Sequence, residues 1–276
     1  MAIKQLKGKR VFITGAASGI GAATAQAFAR EGCTLALADM DKVGLADTAK
    51  LVEAVGVDCT TLELDVTDEA QFREAAQQLS AVAGVPQVVI NNAGIGAHGS
   101  FLNTPMDAVR RVMEVNVFGV YNGCHAFLPL MLEAGEPCHL VNVASLASIS
   151  PMPNMSAYAA SKYAVDGLTE VLAMELADTN VDVTCVHPGV INTPIVAGKS
   201  YNGETGLRQE QQLGEYYRAH GSDPMVVAEG MVSAVKDGRA HLWVGSKAPL
   251  TEKAKRLSPA LTRRMAVRMT HKIGYA

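Results

Sequence analysis

Apolar runs of strand length alternate with helical patterns along most of this chain, and that alternation limits the folds it can adopt. Most runs are apolar throughout rather than at every second position, as expected for strands covered on both faces. The predicted strands are residues 10–14, 34–39, 59–65, 86–91, 138–144, 181–187 and 240–245. The predicted helices are residues 19–31, 42–55, 68–83, 105–134, 156–179 and 223–237. This order predicts a doubly wound α/β fold with a parallel sheet, whose ligands bind beyond the carboxyl ends of the strands.

Composition narrows the protein class further. The 276 residues include 49% apolar residues and 25 glycines, with no linker or repeat, which favours a single domain. Five scattered cysteines without a CxxC pair predict reduced thiols, and the seven histidines show no metal-ligand spacing. The start of the chain lacks the apolar block of a secretory signal, and the uncharged run 115–132 contains polar residues and a proline that indicate a buried helix rather than a membrane span. We therefore expect a cytoplasmic protein without a catalytic metal.

The first strand is followed by the sequence TGAASGIG at residues 14–21, in which Gly15, Gly19 and Gly21 occupy the turn and the first helical turn. Glycines let the backbone approach a pyrophosphate closely, and free N–H groups at a helix start bind the anion. The spacing differs from the GxGxxG fingerprint, and a plain turn is an alternative. The place between an initial strand and a helix favours a dinucleotide site.

The second strand ends in Asp39, eighteen residues after Gly21, where a carboxylate accepts from both ribose hydroxyls of an adenosine and repels a 2′-phosphate. Selection of the phosphorylated cofactor would need a cation near residues 17, 18 or 40. These positions and the next hold Ala17, Ser18, Met40 and Asp41. Lys42, the nearby cation, is expected to begin the next helix. The sequence therefore favours NAD over NADP, with a helix N-cap as the alternative role of Asp39.

The other strand ends carry further candidates. Asp65 ends the third strand and either meets the adenine edge or caps a helix. The fourth strand ends in NNAG, residues 91–94, a small turn that can pass close to a ribose, and the fifth ends at Ser145. The sixth ends in HPGVINT, residues 187–193, where a proline and a glycine force a turn and Thr193 offers a hydroxyl to a carboxamide or phosphate.

Tyr158 and Lys162 stand four residues apart in SAYAASKYAV, residues 156–165, and so share one helical face. Such a pair can be ordinary surface decoration. It can also be an acid/base device, because a neighbouring ammonium favours phenolate and lowers a tyrosine pKa from its ordinary value of about 10.

These motifs together resemble the short-chain dehydrogenase/reductase family. Ser145 precedes Tyr158 by thirteen residues, the interval usual in that family. The matching pieces, in family order, are TGAASGIG, NNAG, Asn116 in VNVFG, Ser145, YAASK at residues 158–162 and PGVINT at residues 188–193. The resemblance covers residues 7–246. It implies a Rossmann-type sheet of seven strands in one catalytic domain, residues 1–246, followed by a helical extension, residues 247–276.

The resemblance also implies roles for individual residues. Tyr158 is expected to be the general acid/base, Lys162 to lower its pKa and hold the nicotinamide ribose, and Ser145 to bind the substrate oxygen. Asn116 is expected to hold a water in a proton relay. The implied dinucleotide-binding residues are Gly15, Ser18, Gly19, Ile20, Gly21, Asp39, Met40, Asp65, Val66, Asn92, Ala93, Gly94, Tyr158, Lys162, Pro188, Gly189, Ile191 and Thr193. The halohydrin dehalogenases share the fold, but they resemble a Ser–Tyr–Arg arrangement, and Lys162 weighs against them.

Residues 193–222 form a polar segment with five glycines, which is predicted to be a mobile lid over the substrate. The candidate substrate contacts are Ile95, Ser145, Leu146, Met152, Tyr158, Ile195, Val196 and Tyr201, with His98, Leu213, Tyr216 and Tyr217 as further candidates. Each of them can instead be lid packing. Their mixed apolar character favours a hydrophobic secondary alcohol or ketone that is cyclic, aryl or steroid-like.

Residues 247–276 hold eight Lys and Arg and one acid, a net charge of +7; since the whole chain carries −3, the other 246 residues carry −10. Ser258 and Pro259 start a helix that Gly274 ends. Its predicted apolar stripe is Leu257, Leu261, Met265, Met269 and Ile273, and its basic stripe is Arg264, Arg268 and Lys272. The helix either packs over the acidic body and narrows the active-site entrance, which the charge favours, or lies on a membrane surface. Nucleic-acid binding is disfavoured because no aromatic residues interleave the charges.

The predicted function is the reversible, NAD-dependent oxidation of a hydrophobic secondary alcohol to a ketone. The alternatives are an NADP-dependent carbonyl reductase and a non-catalytic regulator that binds a dinucleotide. The resemblance further implies a homodimer or homotetramer that assembles through the helices at residues 105–134 and 156–179.

Overall fold

A computed structural model describes residues 2–197 and 199–275 and contains the predicted sheet. Seven parallel strands lie in the order β3-β2-β1-β4-β6-β7-β9, which confirms the Rossmann-type α/β fold. Two further strands, β5 and β8, pair with each other outside this sheet. The strands are β1 (Arg10–Thr14), β2 (Thr34–Asp39), β3 (Cys59–Glu63), β4 (Val88–Asn91), β5 (Ala97–His98), β6 (Cys138–Val143), β7 (Val181–Pro188), β8 (Lys199–Ser200) and β9 (His241–Val244).

Helices fill the connections, and short polar side chains start several of them. Asp41, Asp68, Asp223 and Ser258 each accept a hydrogen bond from a backbone N–H of the first turn, as N-caps do. The helices are α1 (Gly19–Arg30), α2 (Lys42–Glu53), α3 (Glu69–Ala83), α4 (Met106–Met113), α5 (Gly119–Ala134), α6 (Ser156–Glu175), α7 (Gly203–His220), α8 (Pro224–Asp237), α9 (Ala248–Leu257) and α10 (Pro259–Lys272).

Two apolar layers cover the two faces of the sheet. Helices α1, α2 and α8 bury one face, with Phe28 and Met231 fully buried among them. Helices α3, α5 and α6 bury the other face. There the rings of Phe12 and Phe127 lie 4.6 Å apart between centroids, and the Phe72 ring packs edge-on against both. Because both faces are covered, the central strands read as continuous apolar runs in the sequence.

The observed boundaries differ from the predicted ones at the ends of several elements. The predicted helix 105–134 is interrupted at Glu114–Phe118 by a π-helical turn, a feature that often marks functional sites. The predicted helix 156–179 ends at Glu175. Strand β3 stops at Glu63 and lies at the edge of the sheet, which is why its side chains are mostly exposed.

The predicted lid, residues 193–222, is mostly regular structure. Pro194–Ala197 form a 3₁₀ turn, β8 follows, and the 18 residues of α7 account for most of the remainder. The glycines predicted mobility, but a Cβ at Gly206 would lie 2.2 Å from the Ser200 hydroxyl, so this glycine permits close packing. Gly198 lies outside the described residues. The helix forms because Leu213, fully buried, anchors an otherwise polar segment on the body.

The continuous helical stretch Met106–Ala134 has the length and apolar composition of a membrane span, but half of its most apolar window is buried inside the protein. Helix α5 in this stretch packs against α3 and against strands β4 and β6. The stretch therefore contributes to the core of the α/β body.

Candidate active site

The glycine turn after β1 lies against the end of β4. Gly15 has a φ of +65°, and a Cβ there would lie 2.8 Å from the Cα of Ala93. A Cβ at Gly21 would lie 1.9 Å from the carbonyl oxygen of Gly15. The Asn92 side-chain amide donates to the carbonyls of Thr14 and Gly15, at 2.9 and 3.1 Å. These contacts fix the conformation of the turn, in which its N–H groups can approach an anion closely.

Asp39, at the end of β2, connects the adenosine side of the site to this turn. One of its carboxylate oxygens accepts from the backbone N–H of Ala17 at 3.0 Å, and the other accepts from that of Asp41 at 3.0 Å. The alternative role of Asp39 as a helix N-cap is wrong, because Asp41 caps α2. Lys42 does begin α2, and its ammonium lies 2.6 Å from the Glu63 carboxylate. Lys42, the cation nearest to Asp39 along the sequence, is therefore already paired with a carboxylate.

Asp65 lines the same cavity as Gly15 and Asp39, and it does not cap a helix. Its Oδ1 accepts from the backbone N–H and the hydroxyl of Thr67, at 2.9 and 2.8 Å, while Asp68 caps α3. Burial acts to raise the pKa of Asp65, but the Thr67 hydrogen bonds and the nearby Arg111 charge outweigh it and lower that pKa. The carboxylate is therefore ionised and keeps its second oxygen for a ligand.

Tyr158, Lys162 and Ser145 converge on the same cavity. The Ser145 hydroxyl accepts from the backbone N–H of Ala147 at 3.0 Å and lies close enough to the phenol of Tyr158 to lower its pKa. The buried Lys162 ammonium donates to the carbonyl of Val143 at 2.8 Å and lies 5.8 Å from the centre of the Tyr158 ring. The three groups thus form a small polar patch in a largely apolar cavity, as an acid/base centre requires.

The acidity predicted for Tyr158 is wrong for the protein alone. Burial raises the pKa of Tyr158, and the Ser145 hydrogen bond lowers it only in part. Burial also lowers the pKa of Lys162 from 10.5 to about 8. Lys162 does not offset the effect of burial on Tyr158, because its ammonium donates to the Val143 carbonyl rather than to the phenol. The Tyr–Lys spacing alone does not make the phenol acidic.

Asn116 lies fully buried in the π-helical turn next to this centre. Its amide oxygen accepts from the backbone N–H of Ile95 at 2.8 Å, and its amide nitrogen donates to the Ile95 carbonyl and the Ser161 hydroxyl, both at 3.0 Å. The expected water-holding role therefore does not fall to the side chain, whose three hydrogen bonds are made within the protein. Its visible role is to position the loop after β4.

One cavity of about 1010 Å³ connects the glycine turn with the acid/base centre. It is lined by every predicted dinucleotide-binding residue except Gly21, which lies behind the turn: Gly15, Ser18, Gly19, Ile20, Asp39, Met40, Asp65, Val66, Asn92, Ala93, Gly94, Tyr158, Lys162, Pro188, Gly189, Ile191 and Thr193. It is also lined by the predicted substrate contacts Ile95, Ser145, Leu146, Met152, Tyr158, Ile195 and Tyr201. The side chain of Val196 lies outside the described residues. Of the further candidates, His98 and Tyr217 line the cavity, whereas Leu213 and Tyr216 do not.

Helices α9 and α10, named here the C-terminal helix pair, form part of the cavity wall that the sequence did not predict in detail. The pair contributes Leu250, Thr251, Ala254, Thr262, Met265, Ala266 and Met269. Behind the wall Tyr275 is buried, and its hydroxyl lies 2.7 Å from Nδ1 of His98. Tyr275 also packs with Met155 and Tyr217. Only the start and the end of α10 could be predicted from local signals, namely the Ser-Pro pair and the glycine.

A second polar cluster stands directly behind Ser145. The Ser148 hydroxyl donates to the Ser145 carbonyl at 2.8 Å and lies 3.1 Å from Nδ1 of His187, whose Nε2 lies 3.6 Å from Asp166. The fold brings Asp166, Cys185 and His187 within 4.8 Å of one another, a grouping of metal-ligand types that spacing along the chain cannot reveal. The Cys185 thiol donates to Asp166 at 3.5 Å. The visible role of the cluster is to anchor the backbone of Ser145.

Comparisons with known proteins agree with this geometry. The family model described as short chain dehydrogenase matches residues 9–202. The chain is 41% identical over 232 residues to "Probable oxidoreductase EphD" of Mycobacterium tuberculosis, which covers 82% of this chain but only 39% of that protein. It is 35% identical over 224 residues to the 1-deoxy-11-beta-hydroxypentalenate dehydrogenase of Streptomyces exfoliatus, covering 79% of this chain and 82% of that one.

A solved structure shares nearly the whole fold. A short chain dehydrogenase/reductase from Burkholderia phymatum, in complex with NAD, superposes with a TM-score of 0.87 at 30% identity and covers 95% of this chain and 97% of that one. The family match, the parallel sheet and the convergence of Ser145, Tyr158 and Lys162 lead to one conclusion. This chain belongs to the short-chain dehydrogenase family.

Proposed function

We propose that the protein catalyses the reversible, NAD-dependent oxidation of a hydrophobic secondary alcohol, cyclic, aryl or steroid-like, to the corresponding ketone. The observation that carries the proposal is the shared cavity. The glycine turn and Asp39 lie at one part of it, and Ser145, Tyr158 and Lys162 lie at another. A dinucleotide bound along the strand ends would therefore bring its reactive ring to the acid/base centre.

The residues of the cavity fit NAD. The glycine turn leaves a cradle that a Cβ would fill, and Asp39 keeps lone pairs for two ribose hydroxyls. The preference for NAD over NADP rests on charge, because Asp39 and Asp41 repel a phosphate and Lys42 is already paired with Glu63. When bound, the dinucleotide supplies the acceptor for the hydride of the alcohol carbon.

Residues of the protein then bind the alcohol oxygen and transfer its proton. Ser145 and Tyr158 both line the cavity next to each other and can hold the alcohol oxygen between them. Tyr158 takes the hydroxyl proton during oxidation and returns it during reduction. Lys162 would hold the ribose next to the ring and supply positive charge. Because burial alone raises the pKa of Tyr158, the phenol becomes an effective base only when further positive charge enters the cavity with the cofactor.

The substrate class follows from the lining beyond this centre. Ile95, Leu146, Met152, Ile195 and Tyr201 surround the polar patch with apolar surface. Such a lining favours a largely hydrophobic molecule with one oriented hydroxyl group. The relative from Streptomyces exfoliatus is named as the dehydrogenase of a hydroxylated compound, 1-deoxy-11-beta-hydroxypentalenate, which supports an alcohol as the substrate here.

Replacement of Tyr158 by Phe tests catalysis against the alternative of a non-catalytic regulator. Removal of the acid/base should lower kcat about 1000-fold in a screen of hydroxysteroids, cyclic alcohols and aryl alcohols followed by NADH absorbance. Calorimetry should show NAD binding within about threefold of the unaltered protein, because no other contact is removed. Unchanged turnover in Tyr158→Phe would refute the proposed mechanism.

Replacement of Asp39 by Ala tests the cofactor preference. Loss of the carboxylate should raise the KM for NAD and lower the KM for NADP, because ribose acceptors are lost and repulsion of a 2′-phosphate falls. An unaltered protein that already uses NADP with the lower KM would favour the alternative, an NADP-dependent carbonyl reductase.

We also propose that the protein is a cytoplasmic homodimer or homotetramer. Helices 105–134 and 156–179 leave apolar side chains exposed, among them Phe118, Tyr121, Val171 and Met174. All five cysteines are free thiols, which suits a reducing compartment. A monomeric mass by light scattering would contradict the assembly.

A further inference from the structure

We propose that the C-terminal helix pair docks on an anionic lipid bilayer and turns the mouth of the active-site cavity towards it. The inference concerns a surface that the proposed reaction does not use. It rests on three features of this pair: exposed leucines, unpaired cations and the position of both at the cavity rim.

The apolar feature is a set of four exposed side chains, named here the apolar lip: Leu250, Leu257, Leu261 and Met265. They are 75%, 88%, 54% and 55% exposed, respectively. Leu250 and Leu257 are seven residues apart in α9, and Leu261 and Met265 are four apart in α10, so each pair shares a helical face. Large apolar side chains grouped in this way mark an interaction surface more often than isolated ones do.

Of the predicted apolar stripe, Met269 lines the cavity and Ile273 packs with Met155 and Tyr275, but Leu257, Leu261 and Met265 are exposed. Thr262, Ala266 and Thr270 are buried, at four-residue spacing. Helix α10 packs against α9, and Thr262 and Ala266 line the cavity. Tyr275 follows the helix, and its backbone carbonyl accepts a hydrogen bond of 2.8 Å from the Asn154 side chain. The helix is thus attached at its end and along α9, while Leu261 and Met265 remain more than half exposed.

The charges of the pair complement an anionic surface. The only acid in residues 247–276 is Glu252, and it already forms an ion pair with Arg256. The basic stripe, Arg264, Arg268 and Lys272, is exposed beside the apolar lip, and the segment contains no second acid that could pair with it. Exposed leucines next to basic side chains are the composition by which helices lie in the interface of an anionic membrane.

Two residues of the apolar lip also line the cavity. Leu250 and Met265 line it, although each is more than half exposed, so they stand at its rim. Contact of this rim with acyl chains would join the apolar interior of the bilayer to the apolar cavity. A hydrophobic alcohol could then enter without crossing water.

A second copy of this chain is a less suitable occupant. A symmetric contact places the same patch on both subunits, and it would bring two segments of net charge +7 together. A bilayer rich in anionic headgroups offers the opposite charge along the whole surface. The charge of the patch thus favours lipid.

Vesicle sedimentation with the full chain tests the proposal. Vesicles that mix phosphatidylglycerol with phosphatidylcholine should pellet the protein at low salt, and vesicles of phosphatidylcholine alone should pellet much less. High salt should release it. The variant Arg264→Gln/Arg268→Gln/Lys272→Gln should lower the partition coefficient about 100-fold, since each cation near an anionic surface contributes about 1 kcal/mol. The variant Leu257→Ser/Leu261→Ser should lower it at least about 10-fold.

The control is Val82→Ser/Leu102→Ser, which replaces apolar residues elsewhere that are at least as exposed and should bind as the unaltered protein does. Urea unfolding and NAD binding should be the same for all variants, because the changed side chains are exposed. No sedimentation with anionic vesicles would overturn the proposal, as would full binding by Leu257→Ser/Leu261→Ser. A mass that halves in that variant by light scattering would also overturn it, because the occupant would then be a second copy. None of these results depends on turnover, so the proposal fails or holds separately from the proposed reaction.

Discussion

The carboxyl ends of the strands and the C-terminal helix pair line the same cavity, but they follow from the sequence in different ways. At the strand ends, the motif residues themselves line the cavity, as Gly15 and Asp39 do. In the helix pair, Leu257 and Leu261 of the predicted apolar stripe are exposed, whereas small residues such as Ala266 are buried. A motif shaped by backbone geometry can be read locally, whereas the buried face of a helix depends on the surface that receives it.

Lys162→Met is the change with the largest expected effect on the strand-end region. It should lower kcat by about 1000-fold, because the charge beside the acid/base is lost. It should also stabilise the protein by roughly 1–3 kcal/mol at pH 7, because the buried ammonium is costly and methionine is not. Steady-state kinetics and urea unfolding measure the two effects.

The pH dependence of Lys162→Met gives an independent check. The pKa of Lys162 is lowered by burial from 10.5 to about 8 in the folded protein. At Lys162 the unfolded chain therefore binds more protons between those values, so this residue contributes a gain in stability as pH rises from 8 towards 10.5. The five buried or partly buried thiols, whose pKa values burial raises above 9.0, act in the opposite direction, so the gain is read from the difference between the unaltered protein and the variant. Lys162→Met should lack this gain, whereas Lys50→Met at an exposed position should retain it. A destabilised Lys162→Met at pH 7 would show that the ammonium is better compensated than its single visible hydrogen bond indicates.

Two buried histidines, one inside the sheet and one behind the C-terminal helix pair, provide the next comparison. His139 lies in the sheet, and His98 contacts Tyr275 behind the C-terminal helix pair. Burial lowers the pKa of each from 6.5 to about 4. As the pH falls from 6.5 to 4, each histidine therefore lowers the free energy of unfolding by about 3 kcal/mol in total.

Glutamine variants measure these two contributions. His139→Gln and His98→Gln should each remove about 3 kcal/mol from the difference in free energy of unfolding between neutral and acid pH. Exposed His125→Gln serves as the control and should leave the difference unchanged. If only His139→Gln flattens the profile, water or movement reaches His98 and the C-terminal cover is looser than the sheet.

The extent to which the site was predictable differs by residue. The glycine turn, Asp39, Ser145, Tyr158 and Lys162 follow from spacing and strand ends, because each lies within a few residues of the element that positions it. The side-chain amide of Asn116 differs, because its partner Ile95 lies on a loop 21 residues earlier. The grouping of Asp166 with His187 joins a helix to a distant strand and has no local signature. The 3.6-residue period of α10 predicts a helix but does not say which face the body accepts.

Gly21→Ala tests whether close packing fixes the glycine turn of the strand-end region. The new Cβ would lie 1.9 Å from the Gly15 carbonyl oxygen, so the turn must shift. Overpacking of this kind costs about 1–3 kcal/mol, and NAD affinity should fall roughly 10- to 100-fold by calorimetry. Gly167→Ala is the matched control, since Gly167 is also helical but has nothing within 4 Å of its Cβ position. It should leave NAD affinity unchanged and add up to about 1 kcal/mol of stability. Equal affinities in the two variants would mean that the turn is not held by its neighbours.

The smallest expected effects test which face of α10 is buried. Leu261 is 54% exposed and Ala266 is 9% exposed, although the sequence pattern predicts the opposite. Leu261→Ala should therefore change the free energy of unfolding by no more than about 0.5 kcal/mol, as surface changes do. Ala266→Leu should cost about 1–3 kcal/mol, because the larger side chain pushes the helix off the body. If α10 packed through its leucines instead, the order would invert: Leu261→Ala would cost about 2–5 kcal/mol and Ala266→Leu would be nearly silent. Urea unfolding of the two variants thus decides whether the apolar lip is available to a membrane.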